Sequence, residues 1–253
     1  MTNAKEKEIF EALCAAESYA TLGYGVREEE GIGIYNEKRL HRILKRTVCD
    51  RESCFELKVG RYTADVLCDG HIFEIQSASL LPLRQKIAFY LESTDLKVTV
   101  VRPLIVKRKI IRADRESGEV LRVRSSPKKA KLEELPAIIR PLAEFVNDPR
   151  FSLKVMLVEL EEYRYSEAVR YRKSGKYDSE VFPTKLVGSI EFCSVDDYRV
   201  FFPRELCGCE FCAADFAPYT TLRGRDLYAA LNAFAAMGMI DRRKDGKRVI
   251  YKA

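Results

Sequence analysis

Arg61-Tyr62-Thr63-Ala64-Asp65-Val66-Leu67-Cys68-Asp69-Gly70-His71-Ile72-Phe73-Glu74-Ile75-Gln76 decides how this chain reads. The stretch predicts two short strands joined by a turn at Asp69-Gly70, since Asp-Gly between apolar runs favours a tight hairpin. Side chains alternate along a strand, so Glu74 and Gln76 point one way and Ile75 the other. Asp65, Glu74 and Gln76 interrupt strands that are otherwise apolar (Val66, Leu67, Ile72, Phe73, Ile75). A carboxylate in such a strand is costly unless it is paired or binds a metal. Two carboxylates on adjacent strands offer oxygen ligands to a hard divalent cation. The plainer alternatives are pairing of Asp65 with Lys58 or Arg61 across strands and of Glu74 with a neighbouring cation.

The flanking sequence extends the pattern in both directions. Residues 6–20 and 37–46 have helical spacing, the second with Asn36 as its expected cap and Leu40, Ile43 and Leu44 on its apolar face. Phe55–Val59, Tyr62–Leu67 and Ile72–Ser77 read as successive strands, residues 80–91 as a helix and Lys97–Val101 as a fourth strand. The order is α-βββ-α-β. Beyond it come a basic hairpin over 105–124, a polar break at Ser125-Ser126-Pro127, a helix over 132–146 and a strand over 153–161. Residues 164–183 read as a loop or partly helical insertion, and 186–202 as a strand pair turning at Asp196-Asp197.

This layout, with an acid in the middle strand and Glu-x-Gln in the next, resembles the PD-(D/E)XK nuclease superfamily over residues 35–105. Asp65 matches its aspartate, and Glu74 and Gln76 match Glu-x-Lys, with glutamine replacing lysine. The resemblance implies a restriction-endonuclease-like mixed sheet flanked by helices. It implies Mg2+ or Mn2+ held by Asp65 and Glu74 with the Ile75 carbonyl, and Glu37 as an additional acid. Gln76 can hydrogen-bond but carries no charge; some restriction enzymes of the superfamily have glutamine there. Lys86, on the following helix, is the expected substitute cation, with Arg84 as a second choice. The chain is also similar to bacterial proteins with an Asp-Val-Leu and Glu-Ile-Gln segment followed by Arg-x-Ser-Pro-Lys-Lys, a likeness that implies no activity.

Charge suggests the partner. The net charge is +6, a weak signal alone, but its distribution is uneven. Residues 100–130 carry ten cations against three anions, and residues 219–253 carry eight against three. Arg108, Lys109, Lys128 and Lys129 in the first region are expected to meet the phosphates of nucleic acid, most readily DNA. In the second, helix, short strand, Asp245-Gly246 turn and strand resemble half of a winged helix. There Arg242, Arg243, Lys244, Lys247 and Arg248, with Arg223 and Arg225, are the expected contacts.

These readings divide the chain into an N-terminal helix and linker (1–30), a nuclease-like core with basic hairpin (31–165), a connecting region (166–214) and a winged-helix-like module (215–253). The fold class is α/β. No apolar run spans a membrane, because Arg102-Pro103 interrupts the best stretch, and the N-terminus makes a poor signal peptide. A cytoplasmic location is therefore expected, with reduced cysteines. Cys207, Cys209 and Cys212 form C-x-C-x-x-C without a neighbouring fourth ligand, which favours plain thiols over zinc. The expected function is a metal-dependent DNA nuclease, with a homodimer as an allowed assembly. The alternatives are a nuclease-fold regulator that binds nucleic acid without cutting, and a structural module of a larger complex.

Overall fold

The computed structural model describes residues 4–19, 32–114, 117–165, 179–246 and 248–253, with the side chains of 32–38 excepted. Its elements are α1 (Ala4–Ala16), α2 (Ile32–Val48), β1 (Phe55–Val59), β2 (Tyr62–Cys68), β3 (His71–Ile75), α3 (Arg84–Ser93), β4 (Lys97–Ala113) and β5 (Val120–Ser125). They continue with α4 (Leu135–Ile139), β6 (Phe151–Tyr165), β7 (Ser179–Phe192), α5 (Val195–Tyr198), β8 (Glu210–Phe211), α6 (Ala213–Phe216), α7 (Gly224–Ala236), β9 (Asp241–Asp245) and β10 (Arg248–Lys252). Among the described residues a seven-stranded mixed sheet has the order β1-β2-β3-β4-β6-β7, with β5 pairing β4. Helices flank it, and the α/β class read from the sequence holds.

Two compact units divide the chain: Met1–Phe55, Val101–Ala130 and Val155–Ile190 in one, Glu56–Val100, Lys131–Lys154 and Glu191–Ala253 in the other. In the first, Phe10 of α1 and Ile43 and Leu44 of α2 are fully buried. Arg39 is also buried, stacked 4.0 Å over the Phe182 ring and donating to the Val181 carbonyl.

In the second unit the chemistry of the hairpin is explicit. Cys68 pairs with His71, leaving Asp69 and Gly70 as a two-residue loop, both at positive φ (52° and 77°). That geometry follows the twist of the strands it joins. After β3 the chain crosses over through α3, and the Lys97 amide donates to the Gly70 carbonyl. The starts of β3 and β4 therefore lie side by side, so the two strands run parallel, as a helical crossover requires. The Val98 amide bonds the Arg150 carbonyl and sets β6 parallel in the same way. Val98, Thr99 and Val100 are buried in succession, which marks a central strand covered on both faces. A hydrogen-bonded chain His71–Thr99–Ser152–Glu191 links residues of β3, β4, β6 and β7.

The same unit contains a three-stranded antiparallel sheet in the order β8-β10-β9. Its apolar face, with Phe211 and Tyr251, closes on Phe216, Leu227, Leu231 and Phe234. Strand, short helix, helix and two-strand hairpin form a small module whose first strand begins at Glu210.

Several expectations are corrected. The fourth strand and the first strand of the basic hairpin are one element, β4, which runs through Pro103. The helix expected over 132–146 is a 3-10 turn, a five-residue α4 and a second 3-10 stretch; Pro136 and Pro141 lack the amide that would continue it. The helix of residues 37–46 begins earlier, at Ile32, so Asn36 lies inside α2 and does not cap it. The second strand expected by residue 202 is absent from 193–202, since the Asp197 carboxylate accepts the Ser194 amide and nucleates α5 where a hairpin turn was expected. Residues 179–183, read as loop, belong to β7, while 166–178 lie outside the described residues.

Gly60 and Gly70 separate two costs. A Cβ on Gly70 (φ +77°) meets nothing within 4 Å, whereas one on Gly60 (φ +59°) would fall 2.4 Å from Cζ of Phe89. Both substitutions impose a left-handed backbone, about 1–2 kcal/mol. Gly60→Ala must also displace the Phe89 ring, so it is expected to lower the thermal midpoint more than Gly70→Ala, by roughly a further 1 kcal/mol. Melts followed by circular dichroism check this.

Candidate functional site

Asp65 and Glu74 come together as the strands dictate. The β2–β3 ladder pairs Val66 with Phe73 and Leu67 with Ile72. Continuing that register sets Asp65 opposite Glu74 on one face. Beyond the Val66–Phe73 pair the Ile75 amide donates to Oδ2 of Asp65 at 2.8 Å, which orients this half-buried carboxylate.

Glu74 is 1 % exposed. Its Oε2 accepts from Nζ of Lys86 at 2.6 Å and its Oε1 accepts from the Tyr90 hydroxyl at 3.2 Å. Lys86 and Tyr90 are four residues apart on α3 and so share a helix face. Burial, and then the neighbouring Asp65 charge, push the Glu74 carboxyl up to about 7 against the pull of Lys86 and Tyr90. The same burial and the Glu74 charge hold the Tyr90 phenol well above its ordinary value, so it stays a donor. Around this pair Tyr62, Phe89 and Tyr90 pack edge to face, with Arg61 over the Tyr62 and Phe89 rings.

The other expected site residues are placed as follows. The Gln76 amide donates to the Ser79 carbonyl at 2.7 Å, in the segment that leads to α3, so the cation meeting Glu74 comes from the helix. Arg84 is held by Glu144 through two bonds of 2.9 Å. Glu37 lies on α2, with its side chain outside the described residues. Tyr90 was missed; its spacing from Lys86 was the available signal.

The basic regions sort into paired and exposed groups. Arg108 meets Glu162 and Lys109 meets Glu161, at 3.2 and 3.0 Å. Lys128 and Lys129 are exposed. In the small module Arg242, Lys244 and Arg248 are exposed, Arg243 pairs with Glu210 at 2.8 Å, and Lys247 lies outside the described residues. Arg223 donates to the carbonyls of Ala217, Thr220 and Leu222, which is a structural use; Arg225 is exposed. Among the described residues the sulfurs of Cys207, Cys209 and Cys212 do not gather into a ligand group. No helix among the described residues is long and apolar enough to cross a membrane.

The Glu74 carboxyl has an ordinary value of 4.5 and is raised to about 7 in the fold. The folded chain therefore holds this proton more tightly than the unfolded one. The associated stability is fully present below pH 4.5 and is lost as pH rises through 7. Glu74→Gln keeps the shape and removes the titration. Without divalent ions, the wild-type unfolding free energy is expected to fall relative to the variant's between pH 5 and 8, by an amount approaching roughly 3 kcal/mol. Parallel pH curves would contradict the assignment.

No curated protein and no solved structure matches the chain. A family model described as a domain of unknown function, DUF8091, matches residues 38–193. This span takes in Asp65, Glu74, Lys86 and Tyr90 and ends before the three-stranded sheet, and by a match over more than half its length the chain belongs to that family.

Proposed function

We propose that the chain is a metal-dependent phosphodiesterase acting on nucleic acid, endonuclease-like, with a restriction-endonuclease-like core. The observation that carries this reading is the opposition of Asp65 and Glu74 on one face of adjacent strands, with Lys86 against Glu74. Two carboxylates so placed suit Mg2+ or Mn2+, which prefer oxygen donors, and the Ile75 carbonyl is a further donor in sequence. When bound, such an ion supplies polarisation of a phosphate and a lowered pKa for water.

The chain's own groups have distinct parts. The Ile75 amide orients Asp65, and the Tyr90 hydroxyl fixes Glu74. Lys86 balances Glu74 and, on this reading, faces the negative charge that grows on the phosphate oxygens. It takes the place that the superfamily gives to the lysine replaced here by Gln76. Exposed Lys128, Lys129, Arg242, Lys244 and Arg248 supply charge for backbone phosphates, which positions nucleic acid without reading its sequence.

One observation favours a second reading. The Glu74–Lys86 contact of 2.6 Å already neutralises the buried acid, so the pair is complete as a structural element. A nuclease-fold protein that binds nucleic acid without cutting follows from it.

Purified protein incubated with plasmid and single-stranded DNA, with Mg2+ or Mn2+, separates the two. Cleavage is expected, lowered by roughly a hundredfold or more by Asp65→Ala or Lys86→Ala. Cleavage that survives Asp65→Ala together with Glu74→Ala would sink the proposal. Binding without cleavage, weakened steeply by salt, selects the second reading.

A further inference from the structure

The far end of the β4–β5 hairpin carries an arrangement that the carboxylate site does not use. The register sets Arg112 of β4 directly opposite Arg122 of β5, and Ile110 opposite Arg124. Like charges directly opposite one another destabilise a strand pair. Lys107, Arg108 and Lys109 each have a glutamate on β6, at 3.3, 3.2 and 3.0 Å. Arg112, Arg122 and Arg124 make no ion pair among the described residues. They line a cavity of about 110 Å³ together with Ile110, Arg164 and Tyr165.

Two described acids beside this lining are already engaged. Glu162 holds Arg164 at 2.6 Å and Arg108 at 3.2 Å, and Glu180 accepts from the Tyr165 hydroxyl. Among the described residues, Arg112, Arg122 and Arg124 therefore bring to the cavity positive charge that no ion pair balances. Guanidinium groups present planar paired donors that match phosphate oxygens, and several arginines lining one hollow favour a compact, highly charged anion. Size narrows the ligand further. A water needs roughly 10–15 Å³ of such cavity space, so the hollow has room for several waters or one small anion. Drug-sized ligands need roughly 300–1,000 Å³.

We propose that the hollow lined by Arg112, Arg122, Arg124 and Arg164 binds a phosphoryl group of high charge density, a terminal phosphate or pyrophosphate. Either a free anion or the phosphorylated end of a nucleic acid presents this chemistry. The inference stands on the hairpin and β6 alone and does not need the phosphodiesterase reading.

Calorimetric titration with inorganic phosphate and with pyrophosphate, in EDTA and low chloride, tests it on the full chain. Pyrophosphate is expected to bind saturably at one site, and Arg122→Gln with Arg124→Gln to weaken it at least tenfold. Both side chains are exposed, and circular dichroism verifies that the variant folds. Lys185→Gln with Arg204→Gln, two exposed cations outside both basic regions, is expected to leave binding unchanged. Oligonucleotides of one sequence with a 5′-phosphate or a 5′-hydroxyl identify the source: preference for the phosphate indicates a nucleic-acid end, and no preference alongside saturable pyrophosphate binding indicates a free anion. The proposal is overturned if neither anion binds saturably, or if the Lys185–Arg204 control pair weakens binding as much as the Arg122–Arg124 pair. EDTA removes any divalent ion, so failure here leaves the Asp65–Glu74 proposal standing, and the reverse also holds.

Discussion

A carboxylate withdrawn from water must find its counter-charge inside the fold, and Glu74 finds it on a helix. The bonds from Lys86 and Tyr90 tie β3 to α3. Removing either partner from a buried acid costs more than the bond itself, because the remaining group stays desolvated. The βαβ crossover thus has a polar fastening in addition to its apolar one, made by Ile87 and Leu91 on the same helix. The tie fixes the rotation of α3 as well as its position, since only one face presents residues 86 and 90.

The hydroxyl chain from His71 through Thr99 and Ser152 to Glu191 gives neighbouring strands a second constraint. Burial lowers the His71 pKa, which favours the neutral ring inside this chain. Each member has a partner, and so these polar groups in a buried region specify strand register at little cost. Arg150 acts similarly at the start of β6, donating to the Leu91 and Thr94 carbonyls while held by Asp148. It satisfies carbonyls at the end of α3 that the helix leaves open.

Local chemistry was legible in the sequence. The Asp69-Gly70 turn and the placing of the acids at 65 and 74 on adjacent strands follow from alternation and turn preference, whereas Lys86 was expected only through the resemblance. What was hidden depends on distant pairing. Nothing near Arg108 or Lys109 shows that Glu162 and Glu161 lie beside them, because the adjacency of β4 and β6 spans some fifty residues. Pro103 suggested a boundary, yet β4 passes through it, as tertiary context overrides a local breaker. Ser194 and Asp197 read equally as a turn or a helix start until the capping bond forms.

β5 pairs only with β4 among the described residues and is exposed along its whole length, including Val120, Leu121 and Val123. A free strand edge with apolar side chains is a template for pairing with another copy. Arg122 and Arg124 alternate with those residues and set like charges against like in any such contact. Salt that screens these arginines therefore weakens the repulsion opposing such a contact.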